Sequence, residues 1–293
     1  MKSTLTLLAW LAMPLSLVAQ GIDDIVPPGA ELKREATGFK FVEGPLWKDG
    51  QLYFSDIPAN TIYLLKDGAG EVWLTPSGHT NGNTLDREGR WISCEHDGRV
   101  VRRNADGTTE VIASEYDGKP LNSPNDVVVK SDGTIWFTDP TYGLRKRPEM
   151  QSVRGLYRFD PKDSKLTRVA EGFGQPNGLC FSPDEKLLYV ADSGPVKQVE
   201  VFNVGSDGTL SGRRVFGSIT PGNPDGMRCD AVGRLFVTAG DGVQIFAPDG
   251  TKMGTIQLPE SPANLCFGGA DGRTLYMTAR TSVYSLPLKP LAK

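Results

Sequence analysis

The chain has 293 residues, with 32 basic and 35 acidic side chains and a formal net charge of -3. That balance, with no basic tract and no interleaving of aromatic and basic residues, excludes a nucleic-acid-binding protein. The 34 glycines and 21 prolines supply punctuation for many short strands, and the body of about 270 residues suits one all-β domain, an architecture that reaches this size without dividing.

Residues 1–19 read as a signal peptide. Met1-Lys2 gives a short positive start, residues 5–18 are apolar, and Leu17-Val18-Ala19 before Gln20 forms a cleavage site of mostly small residues, Leu17 being bulkier than usual there. The apolar stretch is short for a membrane span and contains Pro14. The expectation is therefore a secreted or periplasmic protein with no stable membrane association, its body running over 20–293.

Six times along that body a residue able to ligate a hard metal stands just before a short apolar run. These are Glu43 in EGPLWKDG, Asn81 in NGNTLDREG, Asn125 in NDVVVKSDG, Asn177 in NGLCFSPDEK, Asp225 in DGMRCDAVG and Asn264 in NLCFGGADG. A tight turn and a second apolar run follow each one, and successive members lie 38 to 52 residues apart. A repeat of about forty-four residues is the length of one propeller blade, which predicts a six-bladed β-propeller. The pattern places blades at 43–76, 81–114, 125–171, 177–217, 225–257 and 263–288. The last contains only three strands, so residues 31–37 are expected to supply its outer strand and close the ring.

In a propeller the innermost strands line the central channel, and their first residues converge at one face. Such a cluster offers carboxylate and amide oxygens, which suit calcium, magnesium or manganese better than the sulfur and imidazole sites of zinc or copper. Asn and Asp also shape turns before strands; turn chemistry does not explain a Glu in the first blade. A second column, Asp56, Glu95, Asp139 and Asp192, ends the second strands and is expected mostly to cap backbone groups in tight loops, with Asp139 and Asp192-Ser193 nearest the site.

Both histidines, His79 and His96, flank the second blade at the ligand face and are candidate contacts for substrate hydroxyls, or one of them a base. The longest irregular insertion, residues 140–154 with Tyr142, Arg145, Lys146 and Arg147, is a candidate lid or a solvated basic loop. Cys94, Cys180, Cys229 and Cys266 form no CxxC pair; buried thiols are expected, with a Cys229–Cys266 disulfide as the alternative. No GxSxG elbow and no βαβ glycine motif is present, which disfavours a serine hydrolase and a nucleotide site.

The stretches EGPLW, SPNDVVV, QPNGLCFSPDE and PDGMRCDAVGRLFV resemble the metal-face motifs of the senescence marker protein, gluconolactonase and luciferin-regenerating enzyme family, which includes regucalcin. The resemblance runs in order from about residue 41 to 286 and implies a six-bladed propeller that hydrolyses sugar lactones with a divalent cation. By the same resemblance Glu43, Asn177 and Asp225 are direct metal ligands, and Asn125 completes the site or contacts substrate through water. Asn81 and Asn264 carry no ligand role in the family and are read as lining or structural positions. Regucalcin has an arginine two residues before the position of Asn125; this chain has Ser123, which sets its substrate recognition apart. SGHTNGNTLDREGR and NSPNDVVVKSDGTIWFTDPTYG are closer to bacterial gluconolactonases.

Two carboxylates and two amides leave a dication neutral with room for water or substrate, so it can polarise an ester carbonyl and hold the attacking water. Asp225 is the candidate general base, and Asn125, His79, Asn81, His96 and Tyr142 are candidate substrate contacts. The expected partner is a small sugar lactone, with Ca2+ the first choice of ion and Mg2+, Mn2+ or Zn2+ as alternatives. Two other readings stand beside it: hydrolysis of another ester or a phosphotriester at the same site, and a non-enzymatic propeller binding a sugar or protein partner.

Overall fold

The computed structural model describes residues 21–291; the signal peptide read at residues 1–19 lies outside them. Apart from one turn of 3-10 helix, Ile22–Asp24, the regular elements are strands, and among the described residues no helix is long and apolar enough to cross a membrane. Six antiparallel four-stranded sheets follow one another, with the innermost strand of each packed on those of its two neighbours.

Blade I comprises Val42–Lys48, Gln51–Asp56, Thr61–Lys66 and Ala69–Leu74. Blade II is Thr80–Leu85, Trp91–Glu95, Arg99–Arg103 and Thr109–Ala113. Blade III is Val127–Val129, Ile135–Asp139, Gly155–Asp160 and Lys165–Ala170, preceded by a small hairpin, Glu115–Tyr116 with Lys119–Pro120, that the sequence pattern does not announce. Blade IV is Pro176–Phe181, Leu187–Asp192, Gln198–Val204 and Leu210–Ser218, and blade V is Met227–Cys229, Leu235–Ala239, Gly242–Phe246 and Lys252–Gln257. Blade VI takes Pro262–Gly268, Thr274–Ala279 and Ser282–Pro287 from the end of the chain and Lys33–Thr37 from its start. The predicted closure at residues 31–37 is thus formed, with Thr37 opposite Ser282 and Lys33 opposite Ser285, and it covers the edge that Ser282–Pro287 would otherwise expose.

Burial of apolar side chains between blades holds the ring together. Five of the six seams each enclose one apolar cluster, such as Ile92, Val127, Phe137 and Tyr157 between II and III. The I–II seam is built differently. There Asn83 Nδ2 donates to Ser55 Oγ and to the Gly44 carbonyl at 2.8 and 2.9 Å, Trp91 Nε1 donates to Asn83 Oδ1 at 2.8 Å, and Trp73 stacks on Trp91 at 4.4 Å. Every polar group in that list has a partner, as burial requires. The cysteines are all free thiols: Cys94, Cys180 and Cys266 are buried and Cys229 half-buried, so the alternative Cys229–Cys266 bridge is not formed.

Two local devices aim the first residues of the inner strands into the channel. In blades I, II, IV and VI the register with the second strand slips at that point, between Glu43 and Leu46, Thr80 and Asn83, Pro176 and Leu179, and Pro262 and Asn264. Such a bulge turns a side chain out of the alternation that would bury it in a seam. In blades III and V the strand begins only at Val127 and Met227, which leaves Asn125 and Asp225 on the entering segment. The crowding there explains the glycines that follow: a Cβ on Gly44, whose φ is +45°, would come within 2.0 Å of the Asn81 carbonyl, and one on Gly178 within 2.3 Å of that of Asp225.

Candidate active site

The converging ends enclose a cavity of about 240 Å³ at one mouth of the channel. Glu43, Asn125, Asn177 and Asp225 all line it, together with Asn81, His96 and Tyr142. Side chains from all of the first five blades therefore meet, although they are spread over 183 positions from 43 to 225.

Each entering segment is clamped from its own blade. Asp56 accepts the N–H groups of Lys40 and Phe41 at 2.9 and 3.2 Å, just before Glu43. Asp139 accepts those of Asn122 and Ser123 at 2.9 and 2.8 Å, just before Asn125, and Asp192 those of Gly174 and Gln175, both at 2.8 Å, just before Asn177. Glu95 departs from the capping expected of it and pairs instead with Arg103 and Arg99 at 2.7 and 2.5 Å. Blade V has Ala239 at this point, and there Gly240 N–H donates to the Pro221 carbonyl and Gln244 Nε2 to the Thr220 carbonyl, both at 2.8 Å.

One wall of the cavity is acidic. Glu43 is buried and Asp225 half-buried, and with them lies Asp126, a third carboxylate 1 % exposed that the column pattern passes over. Asp126 accepts from Val127 N–H at 2.9 Å and from Asn264 Nδ2 at 3.4 Å, and Arg228 Nη1 stands 3.6 Å away. Glu43 accepts from Gly44 N–H at 2.7 Å and from the Asn264 amide, so Asn264 braces the acids rather than lining the cavity. Burial and then Asp126 push the Glu43 carboxyl up to about 7. Burial, Glu43 and Asp126 raise that of Asp225 well above the ordinary carboxylate range. Asn177 donates to Ser193 Oγ at 3.1 Å, which turns its carbonyl oxygen the other way.

The part of the lining that blade II supplies is neutral. Asn81 Nδ2 lies 3.2 Å from His96 Nε2, and burial, followed by Arg145, lowers the His96 pKa to about 4, so this ring is uncharged at neutral pH. His79 does not line the cavity. Its backbone is at φ +53°, a left-handed turn, and its ring reaches Asp97 Oδ1 at 3.1 Å on the rim, so the contact expected from it is not in place.

Tyr142 stands at the mouth with its hydroxyl beside Ser193 and Asn177. The insertion that carries it, residues 140–154, is pinned rather than free: Gly143 N–H donates to Ser123 Oγ at 3.0 Å, and Gln151 Nε2 donates to the Lys119 and Pro120 carbonyls at 2.8 and 3.0 Å. Ser123, where regucalcin has arginine, thus holds this insertion. Phe41, Ser193, Asn223 and Pro224 complete the lining. Apart from Ser193 none of these was marked in the sequence, because they sit on connecting loops outside the repeat.

Among the described residues no group of three or more Asp, Glu, His or Cys side chains is arranged as a metal site. The donor set is mixed, with two lining carboxylates among carboxamides. It nevertheless fits a hard cation: acids that raise one another's pKa, with Arg228 the nearby counter-charge, share a site rich in amide oxygens, which is the chemistry a divalent ion satisfies.

Residues 41–281 match the SMP-30/Gluconolactonase/LRE-like region. The chain belongs to that family. It is 33 % identical to the gluconolactonase of Zymomonas mobilis over 92 % of this chain and 84 % of that one. It is 29 % identical to the pentonolactonase of Haloferax volcanii over 83 % and 82 %. Among solved structures, a gluconolactonase from Xanthomonas campestris superposes with a TM-score of 0.86 at 35 % identity, covering 92 % of each chain. This SMP-30/gluconolactonase chain therefore shares its propeller with lactone-hydrolysing relatives along nearly its whole length.

Proposed function

We propose that the protein is a hydrolase of sugar lactones, a metal-dependent enzyme of gluconolactonase type that opens an aldonolactone such as glucono-1,5-lactone to its aldonic acid. The observation that carries this reading is the meeting of Glu43, Asn177 and Asp225 on one cavity of about 240 Å³, a volume suited to a single monosaccharide lactone. Relatives named for lactone hydrolysis, among them those of Zymomonas mobilis and Haloferax volcanii, support the reaction class.

Glu43, Asn177 and Asp225 would hold the ion, with Asn125 completing the set; oxygen donors make Ca2+ the first choice over Mg2+, Mn2+ and Zn2+. A bound divalent cation supplies Lewis-acid polarisation of the ester carbonyl and lowers the pKa of the attacking water. The remaining steps belong to the chain. Asp225 takes a proton from the water as its oxygen bonds to the carbonyl carbon, the ring C–O bond breaks, and the same proton passes to the alkoxide that leaves. Asn125 and Tyr142 orient the sugar, and Pro224 and Phe41 supply apolar faces at the mouth.

A pH-stat screen tests the reading. Protein stripped with chelator is assayed on aldonolactones, simple esters and a phosphotriester, before and after return of each ion. Lactone turnover that vanishes on stripping and returns with metal supports the proposal. Turnover confined to the other esters assigns the site to them, and no turnover on any substrate removes it from the hydrolases.

A further inference from the structure

The reaction as proposed makes no use of the neutral wall formed by Asn81 and His96. Asn81 is 3 % exposed and lines the cavity, yet its Oδ1 has no hydrogen-bond partner. A buried amide oxygen without a partner costs about 1–3 kcal/mol, so such an atom on a residue that lines a binding cavity marks a place where a ligand donor belongs.

Its position is fixed from several sides. The Asn81 backbone carbonyl accepts from Ser55 Oγ at 2.9 Å and from Asn83 Nδ2 at 3.2 Å, and the side-chain Nδ2 lies 3.2 Å from His96 Nε2. A neutral imidazole carries one donor nitrogen and one acceptor nitrogen. With Nε2 accepting from Asn81 Nδ2, the ring proton resides on Nδ1 and the amide oxygen is the atom left without a partner. His96 is itself held: its N–H donates to the His79 carbonyl at 3.2 Å, Arg147 donates to its carbonyl, and Gly143 is so close that a Cβ there would come within 2.2 Å of the ring. The insertion at residues 140–154 thereby sets the histidine that sets the amide.

The acids do not claim this oxygen. Glu43, Asp126 and Asp225 act on one another and on Asn177, Asn264 and Arg228, whereas His96 faces Arg145, Arg147, His79 and Asp97. That leaves a hydroxyl of the bound sugar as its donor.

We propose that Asn81, oriented by His96, is the specificity-determining acceptor that recognises one ring hydroxyl of the lactone and rejects substrates lacking it. The inference rests on the lactonase reading. His96 is a positioning residue in this scheme and not a base.

The test compares kcat/KM on glucono-1,5-lactone with that on its 2-, 3- and 4-deoxy analogues for the unaltered protein, Asn81→Ala, His96→Leu and His96→Gln. A site built to bind a hydroxyl discriminates against its absence by roughly 10²-fold or more. The unaltered protein is expected to show that ratio for one analogue, and Asn81→Ala and His96→Leu to bring it within about tenfold of unity. His96→Gln, whose side-chain oxygen still accepts from Asn81 Nδ2, is expected to keep most of it. Calcium titration of Asn81→Ala is expected to give the stoichiometry of the unaltered protein. A ratio unchanged in Asn81→Ala overturns the inference and leaves the lactonase reading intact, as does loss of calcium binding in that variant, which would make Asn81 a ligand. Absence of lactone turnover in the unaltered protein sinks both.

Discussion

Asp56, Asp139 and Asp192 end the second strands of blades I, III and IV, one strand out from the column of Glu43 and Asp225, and the two sets of acids differ in where their oxygens are spent. Asp192 accepts three backbone N–H groups, from Gly174, Gln175 and Gly194, at 2.8 to 2.9 Å. Glu43 accepts a single one, from Gly44 at 2.7 Å, and Asp225 is met by the Asn177 amide. Outer acids are consumed by the chain and fix where the inner residues stand; inner acids keep lone pairs for something brought in from solution. Position within the blade, not residue type, separates the clamps from the proposed ligands.

The sharpest way to break this division is to remove acids from each set. Glu43→Ala and Asp225→Ala are expected to lower lactone turnover by at least about 10³-fold, with the β circular-dichroism spectrum retained. Because these acids repel one another and Asp126, neither change is expected to lower the Tm of chelator-stripped protein. Retained turnover in either variant, measured after metal return, contradicts the assignment.

Asp192→Ala should behave in the opposite way. Loss of three buried charge-assisted bonds is expected to cost about 2–4 kcal/mol of stability, read by urea unfolding, while turnover of the folded fraction falls by about tenfold or less through a displaced Asn177. A loss of turnover as large as that of Asp225→Ala, with stability unchanged, would erase the distinction between the two columns.

Asp139 sharpens it through pH. Burial raises its carboxyl to about 7 against the opposing pull of the Asn122 and Ser123 N–H groups. Below about pH 4 the group is protonated in both folded and unfolded chains and adds no pH dependence. Between about 4 and 7 the unfolded chain has released the proton that the native protein keeps, so the Asp139 contribution to stability falls as pH rises. Relative to Asp139→Asn, the unaltered protein is expected to lose up to about 4 kcal/mol across that window, at about 1.4 kcal/mol per unit; equal slopes in the two proteins would show the carboxyl ionised throughout. The smallest effect is expected at the rim, where Tyr142→Phe should raise KM by about two- to tenfold with little change in kcat.

The fold was legible because a channel-facing residue before an apolar run recurs with blade length, and the six blades fall within one or two residues of the positions that spacing marks. The closing strand was legible because the last blade lacked one. The site was legible only where it follows the column. Asp126 escapes because it stands one place after Asn125, but a signal exists: Glu43, Asn81, Asn177 and Asp225 are each followed by glycine, and Asn125 is followed by an acid. His79 misled because proximity in sequence to Asn81 says nothing of a left-handed turn that swings its ring to Asp97. Asn223 and Phe41 lie in loops, where no periodicity speaks.

The central claim is that Glu43, Asn177 and Asp225 share one divalent ion, and anomalous diffraction from crystals soaked in Mn2+ tests it most directly. The account predicts a single strong peak within about 2.6 Å of an oxygen from each of the three side chains, a separation set by oxygen coordination of such ions. A map with no peak in the cavity, or with its peak on the opposite face of the ring, contradicts it.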